Sequence, residues 1–87
     1  MYYTYILLSL KDRNFHIGFT GDLKRRLTEH QAGKNISTKP GLPLKLIYYE
    51  AHLSKTDAER REQYFKTTKG KSALRQMSTD SLAGLRT

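Results

Sequence analysis

Arg26 and His30 stand four residues apart in the segment LKRRLTEHQA, and Glu62 stands in the later segment RREQYF. An arginine fork pairs with a carboxylate or a phosphate, an imidazole moves protons near neutral pH, and a carboxylate can hold a hard cation. Helical rotation tests whether these groups turn inward or to water. With Leu23 at zero, Leu27 falls near about 40°, His30 near about 340° and Arg26 near about 300°, so both polar groups border the apolar stripe. Lys24, Arg25 and Glu29 fall farther round and read as solvated. On the second segment, Ala58 at zero puts Glu62 near about 40° and Phe65 near about 340°, so Glu62 sits on a packing stripe.

A carboxylate withdrawn from water needs a cation, donors or a metal. Two partners are therefore open for Glu62: an ion pair with Arg26 or Arg61, or a bound metal. Arg26 by itself fits a structural ion pair as well as a phosphate clamp. His30 by itself fits a satisfied, half-buried histidine as well as a proton carrier. Tyr3 and Tyr5 project to one side of their strand, where packing with the hydroxyl at the rim is the ordinary role.

The elements that must position these groups read as follows. Tyr2 to Leu10 is aromatic and branched, turns at Lys11-Asp12-Arg13-Asn14, and continues as Phe15-His16-Ile17-Gly18-Phe19, which predicts a β-hairpin. Phe15, Ile17 and Phe19 alternate with His16 and Gly18, so the second face carries an imidazole beside open backbone. Asp22 is the expected N-cap of a helix over Leu23 to Ala32, and Gly33 its stop. A basic loop, KNISTKPGLP, spans Lys34 to Pro43, and such loops often carry contacts. Leu44 to Ala51 predicts a third strand. Ser54, with Asp57 three residues later, opens a second helix running to about Lys66. Lys69 to Gln76 predicts a further short helix, and Ser78 to Leu85 a weaker one.

The order β-β-α-β-α-α implies an α+β domain with a three-stranded, mainly antiparallel sheet flanked by two to three helices. One domain is expected over residues 1–87, its core at about 2–71 and a C-terminal helical extension at 72–87. The 16 Lys and Arg against 8 Asp and Glu give +8, and their spread along the chain suits a basic face for a polyanion, most simply nucleic acid. With no cysteine, the fold rests on neither disulfides nor thiolate-bound metal, and a cytoplasmic location is expected. The apolar N-terminal run is too short to cross a bilayer, so no membrane partner is expected.

Taken together, Tyr5 in Tyr3-Thr4-Tyr5, His16-Ile17-Gly18, Arg26, His30 and Glu62 in Arg61-Glu62-Gln63 resemble the GIY-YIG nuclease family. The resemblance runs from about Tyr2 to Lys71. The segments GDLKRRLTEH and LIYYE, with Asp57-Ala58 ahead of Arg61-Glu62, resemble its small stand-alone members. It implies hydrolysis of a DNA phosphodiester with one divalent cation, Mg²⁺ or Mn²⁺, in repair, recombination or DNA processing. Glu62 would hold the metal, Arg26 would stabilise charge on the phosphate, Tyr5 would orient or deprotonate water, and His30 would support nucleophile or phosphate. Arg26, Lys24 and the metal could each help to stabilise a Tyr5 phenolate.

His16 departs from the family, whose second motif usually begins with tyrosine; an imidazole there could act as the base or hydrogen-bond Tyr5. No counterpart is seen of the asparagine some members carry after the second helix, where Thr67, Thr68 and Lys69 stand. Gly18, Lys24, Arg25, Lys39, Lys66, Lys69 and Lys71 are the expected nucleic-acid contacts. Branched or damaged DNA is expected ahead of a long sequence-specific site, and RNA stays open. The competing readings are a noncatalytic nucleic-acid-binding module on the same scaffold, and an interaction domain in which Glu62 and Arg26 merely pair.

Overall fold

The computed structural model describes residues 1–77 of the chain, so the helix expected over Ser78 to Leu85 lies outside the described residues. Strand β1 (Tyr2–Ser9) and strand β2 (Phe15–Thr20) form the hairpin, followed by helix α1 (Leu23–Gln31), strand β3 (Leu44–His52), helix α2 (Lys55–Phe65) and helix α3 (Thr68–Met77). The three strands make one antiparallel sheet in the order β2-β1-β3. The fold is the α+β arrangement the sequence implies.

β1 is the central strand, and Thr4 to Ser9 are all buried along it. Alternate residues therefore serve two cores. Tyr5, Leu7 and Leu44 pack with Leu23 and Leu27 of α1 on one face. Ile6, Phe65 and Leu74 pack with Phe15, Ile17, Ile47, Tyr48 and Tyr64 on the other, beneath α2 and α3. A register shift opposite Ile6 and Leu7 makes Leu46 the partner of Leu7 and Tyr48 the partner of Ile6, so Leu46 faces α1 while Ile47 and Tyr48 both face α2.

The expected caps form. Asp22 accepts the amide of Arg25, and Ser54 accepts the amides of Thr56 and Asp57, each satisfying donors that a helix start leaves free. The loop over Lys34 to Pro43 is more ordered than its composition suggests, with a 3-10 turn at Lys39–Gly41 and a buried Thr38. Ser9 pins the turn by donating to the Gly41 carbonyl at 2.6 Å.

Helix α3 reaches the core because its backbone lies against the end of α2 at Gly70. A Cβ there would run into the Tyr64 carbonyl and come within 2.8 Å of Phe65 Cα, neither of which is a movable side-chain tip. Gly70→Ala is expected to destabilise the domain by about 1–3 kcal/mol, read as a lower urea midpoint with an unchanged slope.

Candidate active site

Tyr5 projects from the central strand toward α1, opposite Gly18 on β2 and Tyr49 on β3. The phenol occupies the space that Gly18 leaves: a Cβ at that position would lie 2.5 Å from Tyr5 Oη and 2.7 Å from its Cζ. Gly18 thus acts by having no side chain, which lets the ring lie across the neighbouring strand. Tyr5 is only 3% exposed, so its hydroxyl must find partners inside the protein.

Those partners come from α1. His30 Nε2 lies 3.0 Å from Tyr5 Oη, and Arg26 Nε–H donates to the same oxygen at 3.4 Å. The rotation argument holds, since His30 is 3% exposed while Arg26 keeps 43% of its side chain in solvent. Burial pushes the Tyr5 hydroxyl above its ordinary pKa, and the opposing pull of Arg26 does not overcome it. Tyr5 is therefore a neutral phenol in the metal-free chain. Arg26 is the cation that acts on it most strongly. Burial, then the charge of Arg26 and then His16, lower the pKa of His30, which stays a neutral imidazole. Tyr5 in turn holds Arg26 firmly in its charged form.

Glu62 approaches from the opposite helix layer. Its side chain is 13% exposed, and its ion-pair partner is Lys66, one turn along α2, at 3.4 Å. The pairing that helix geometry allowed with Arg26 or Arg61 is not the arrangement found. Arg61 donates twice to Glu50, at 2.9 Å each, and stacks on Tyr64 and Phe65. Arg26 instead meets Glu29 at 3.5 Å. Glu29 also pairs with Arg25 at 3.7 Å and is less solvated than the rotation suggests.

One cavity of about 550 Å³ gathers these groups: Tyr5, His16, Gly18, Arg26, His30 and Glu62 all line it, with Lys66 and Lys71. Of the other expected contacts, Lys24 and Arg25 border a separate shallow depression with Asp22 and Glu29, and the stem of Lys39 lies near Gly33. Lys69 is exposed on α3. None of these four lines the cavity. The imidazole of His16 does not bond Tyr5; its Nε2 is buried without a hydrogen-bond partner and lies near Gly41.

Sequence reasoning missed Thr38. Its hydroxyl lies 2.8 Å from His30 Nδ1, and with Asn35 and Ser37 it completes the cavity wall. The available signal was the buried-side position of His30, whose second ring nitrogen needed a partner from somewhere.

Among the described residues no group of three or more His, Cys, Asp or Glu side chains could cage a metal. A single sheltered carboxylate with long contacts to Lys66 at 3.4 Å and to Gln63 Nε2 at 3.5 Å still fits Mg²⁺ or Mn²⁺, which keep most of their waters and draw further oxygens from a phosphate. Nor is any helix among the described residues long and apolar enough to cross a membrane.

Comparison with known proteins finds a matching family and a similar fold. The model of the GIY-YIG catalytic domain matches residues 1–76. A UPF0213 protein of Lacticaseibacillus paracasei is 44% identical over 66 residues, covering 75% of this chain and 73% of that one. A UPF0213 protein of Streptococcus agalactiae is 45% identical over 65 residues, covering 74% and 73%. The solution NMR structure of a UPF0213 protein from Bacillus halodurans superposes with a TM-score of 0.55 at 33% identity, covering 88% of this chain and 85% of that one.

Three shifted groups set the acid response: His30 and Glu50 on opposite sides of the sheet, and Asp12 in the hairpin turn, whose carboxyl the Asn14 amide and Ser9 hold below its ordinary value. His30 is neutral in the fold and takes a proton in the unfolded chain below about pH 6.5, so its contribution is complete above that pH and is lost as pH falls. Burial alone would raise the pKa of Glu50, but Arg61 and Tyr48 outweigh it and hold the carboxyl below its ordinary value. Its contribution is complete above about pH 4.3 and is lost below. Melting temperature should therefore hold above pH 7 and fall in two windows on acidification. Glu50→Gln should shrink the lower window, leaving the part that Asp12 supplies, and cost about 1–2 kcal/mol at neutral pH, a modest figure because Arg61 is 37% exposed.

Proposed function

The chain belongs to the GIY-YIG family, and from that premise we propose that it is a metal-dependent endonuclease that hydrolyses phosphodiester bonds in DNA. The observation that carries this reading is the convergence of a phenol from β1, an imidazole and a guanidinium from α1 and a carboxylate from α2 on one cavity. A domain built only for interaction has no need to bring these four groups together beside a partnerless His16 Nε2.

A scissile phosphate in the cavity would meet Arg26, which keeps 43% of its side chain free and whose fork can bind two oxygens. Tyr5 would orient the attacking water and, with His30 on its hydroxyl, accept its proton. The hydroxide formed bonds to phosphorus as the P–O bond to the leaving strand breaks, the departing oxyanion takes a proton from solvent, and Arg26 carries the charge that develops on the phosphoryl oxygens. His16 offers Nε2 to the water or to a phosphate oxygen. Glu62 would hold one Mg²⁺ or Mn²⁺, which when bound supplies positive charge to the phosphate and lowers the proton affinity of water. Lys66 and Lys71 would contact the flanking backbone at the cavity wall, and Lys24, Arg25, Lys39 and Lys69 would serve as outlying backbone contacts. Branched or damaged DNA suits a chain with so little surface for reading sequence.

His16 and the raised pKa of Tyr5 favour a second reading, a noncatalytic nucleic-acid-binding module. Cleavage separates the two. Purified protein should nick supercoiled plasmid or branched DNA only with Mg²⁺ or Mn²⁺, and Glu62→Gln should lower the rate by at least about a hundredfold while leaving the melting temperature unchanged or raised. Equal nicking by wild type and Glu62→Gln would expose a contaminant and remove the enzyme reading. Binding without cutting across DNA and RNA substrates would establish the module instead. Either way affinity should fall steeply between 50 and 200 mM salt, as phosphate contacts dictate.

A further inference from the structure

The loop between α1 and β3 contributes a residue that the catalytic set does not include. His30 Nδ1 lies 2.8 Å from Thr38 Oγ1, and Thr38 Oγ1 lies 3.4 Å from the Asn35 carbonyl. Both His30 and Thr38 are 3% exposed, so the imidazole meets its neighbours with little help from solvent. The proton directions can then be assigned from both ends. A carbonyl can only accept, so the single Thr38 proton goes to Asn35 and the hydroxyl oxygen must accept from His30 Nδ1–H. At the other end, Arg26 can only donate to Tyr5 Oη, and the phenol proton has His30 Nε2 as its acceptor. Both ends are satisfied by the same neutral tautomer, with the proton on Nδ1 and a bare Nε2, but the Thr38 end enforces it, because the phenol borders the open cavity and its proton can also turn there.

We infer that Thr38 is a positioning residue that, through the Asn35 carbonyl, locks His30 in the Nδ1–H tautomer and so aims a free Nε2 lone pair at the Tyr5 hydroxyl. This deepens the nuclease reading, on which its catalytic consequence rests. A phenol that burial keeps protonated cannot take a proton from water unless its own proton has somewhere to go. The relay supplies the route: the water proton passes to Tyr5 Oη as the Tyr5 proton passes to His30 Nε2. The resulting imidazolium carries protons on both nitrogens, its Nδ1–H still held by Thr38, and Tyr5 ends as a neutral phenol. His30 thus ends with the one proton that water gave up, and returns it to solvent before the next turnover.

The tautomer can be read without any turnover, from long-range proton–nitrogen correlation spectra of the His30 ring in the metal-free protein. Wild type should show a protonated Nδ1 and an unprotonated Nε2. Tyr5→Phe should keep that pattern, because the loop sets it. Thr38→Ser should also keep it, whereas Thr38→Val should lose it through a mixed or Nε2–H population. In cleavage assays Thr38→Val should lower kcat by at least about tenfold with KM little changed, and Thr38→Ser should restore most of the rate. A wild-type ring in the Nε2–H form, or a switch on Tyr5→Phe with none on Thr38→Val, would overturn the inference whatever the activity. The expected tautomers in a protein that never cleaves would instead retire the nuclease reading and leave the assignment of Thr38 in place.

Discussion

A phenol buried in the middle strand of a sheet is the constraint from which the rest of this domain's chemistry follows. Tyr5 sits where a branched apolar side chain would pack without needing partners, and a hydroxyl left unpaired there would cost on the order of 1–3 kcal/mol. Gly18 on one neighbouring strand clears the space for the ring, and α1 supplies the two nitrogen groups that satisfy its oxygen. Satisfying the phenol draws in further polar groups. His30, once buried, needs a second partner, and Thr38 supplies it from a loop that is itself held by Ser9 and Gly41. A buried polar network pays off only when every member is satisfied, and this one is continuous from Arg26 to the Asn35 carbonyl.

The second helix solves a different problem, which is to keep a carboxylate sheltered but not neutralised. Arg61 and Glu62 are chain neighbours, and a guanidinium folded back on Glu62 would fill the oxygen positions that a cation needs. Glu50, on the α2-facing side of β3, takes Arg61 in a two-bond pair, while Tyr64 and Phe65 cover its faces. Glu62 is left with Lys66 at 3.4 Å and Gln63 Nε2 at 3.5 Å, and a lysine's flexible stem can give up its contact to a phosphate. The register shift in β3 belongs to the same arrangement, because with Ile6 opposite Tyr48 and Thr4 opposite Glu50 the carboxylate falls on the α2 side of the sheet.

What could be read in the sequence divides along physical lines. Helix rotation needs only a fixed angle per residue, and it correctly turned His30 and Glu62 inward. Caps need only local hydrogen bonds, and Asp22 and Ser54 both form them. The strand order was less visible, although the unbroken run from Thr4 to Ser9 carries the signal of a strand covered on both faces, which requires a neighbour on each edge. Choice of ion-pair partner was not legible, because Glu50 lies eleven positions from Arg61 and only the sheet register brings them together. The burial of Thr38 was hidden for the same reason. A basic loop with Pro and Gly reads as solvent-exposed until a buried histidine is known to lie beneath it.

The site that results is incomplete by construction, and that bears on how it would work. One carboxylate cannot hold Mg²⁺ tightly against its hydration shell, so a strong complex needs oxygen ligands from a phosphate. Arg26, Lys66 and Lys71 at the same cavity raise the local concentration of those phosphates but repel a free cation. If the proposal holds, metal and nucleic acid would favour each other's binding, since each would cancel charge that opposes the other, and by linkage the coupling would be equal in both directions. With a net charge of +8 in 87 residues, the polyanion is the partner the bare protein attracts first. On the proposed nuclease reading, catalytic competence would depend on the substrate placing a phosphate close enough to Glu62 to complete the ion's shell. On the same reading, selectivity would come from backbone shape, because a backbone bent or frayed enough to enter the cavity would bring its phosphate to that carboxylate.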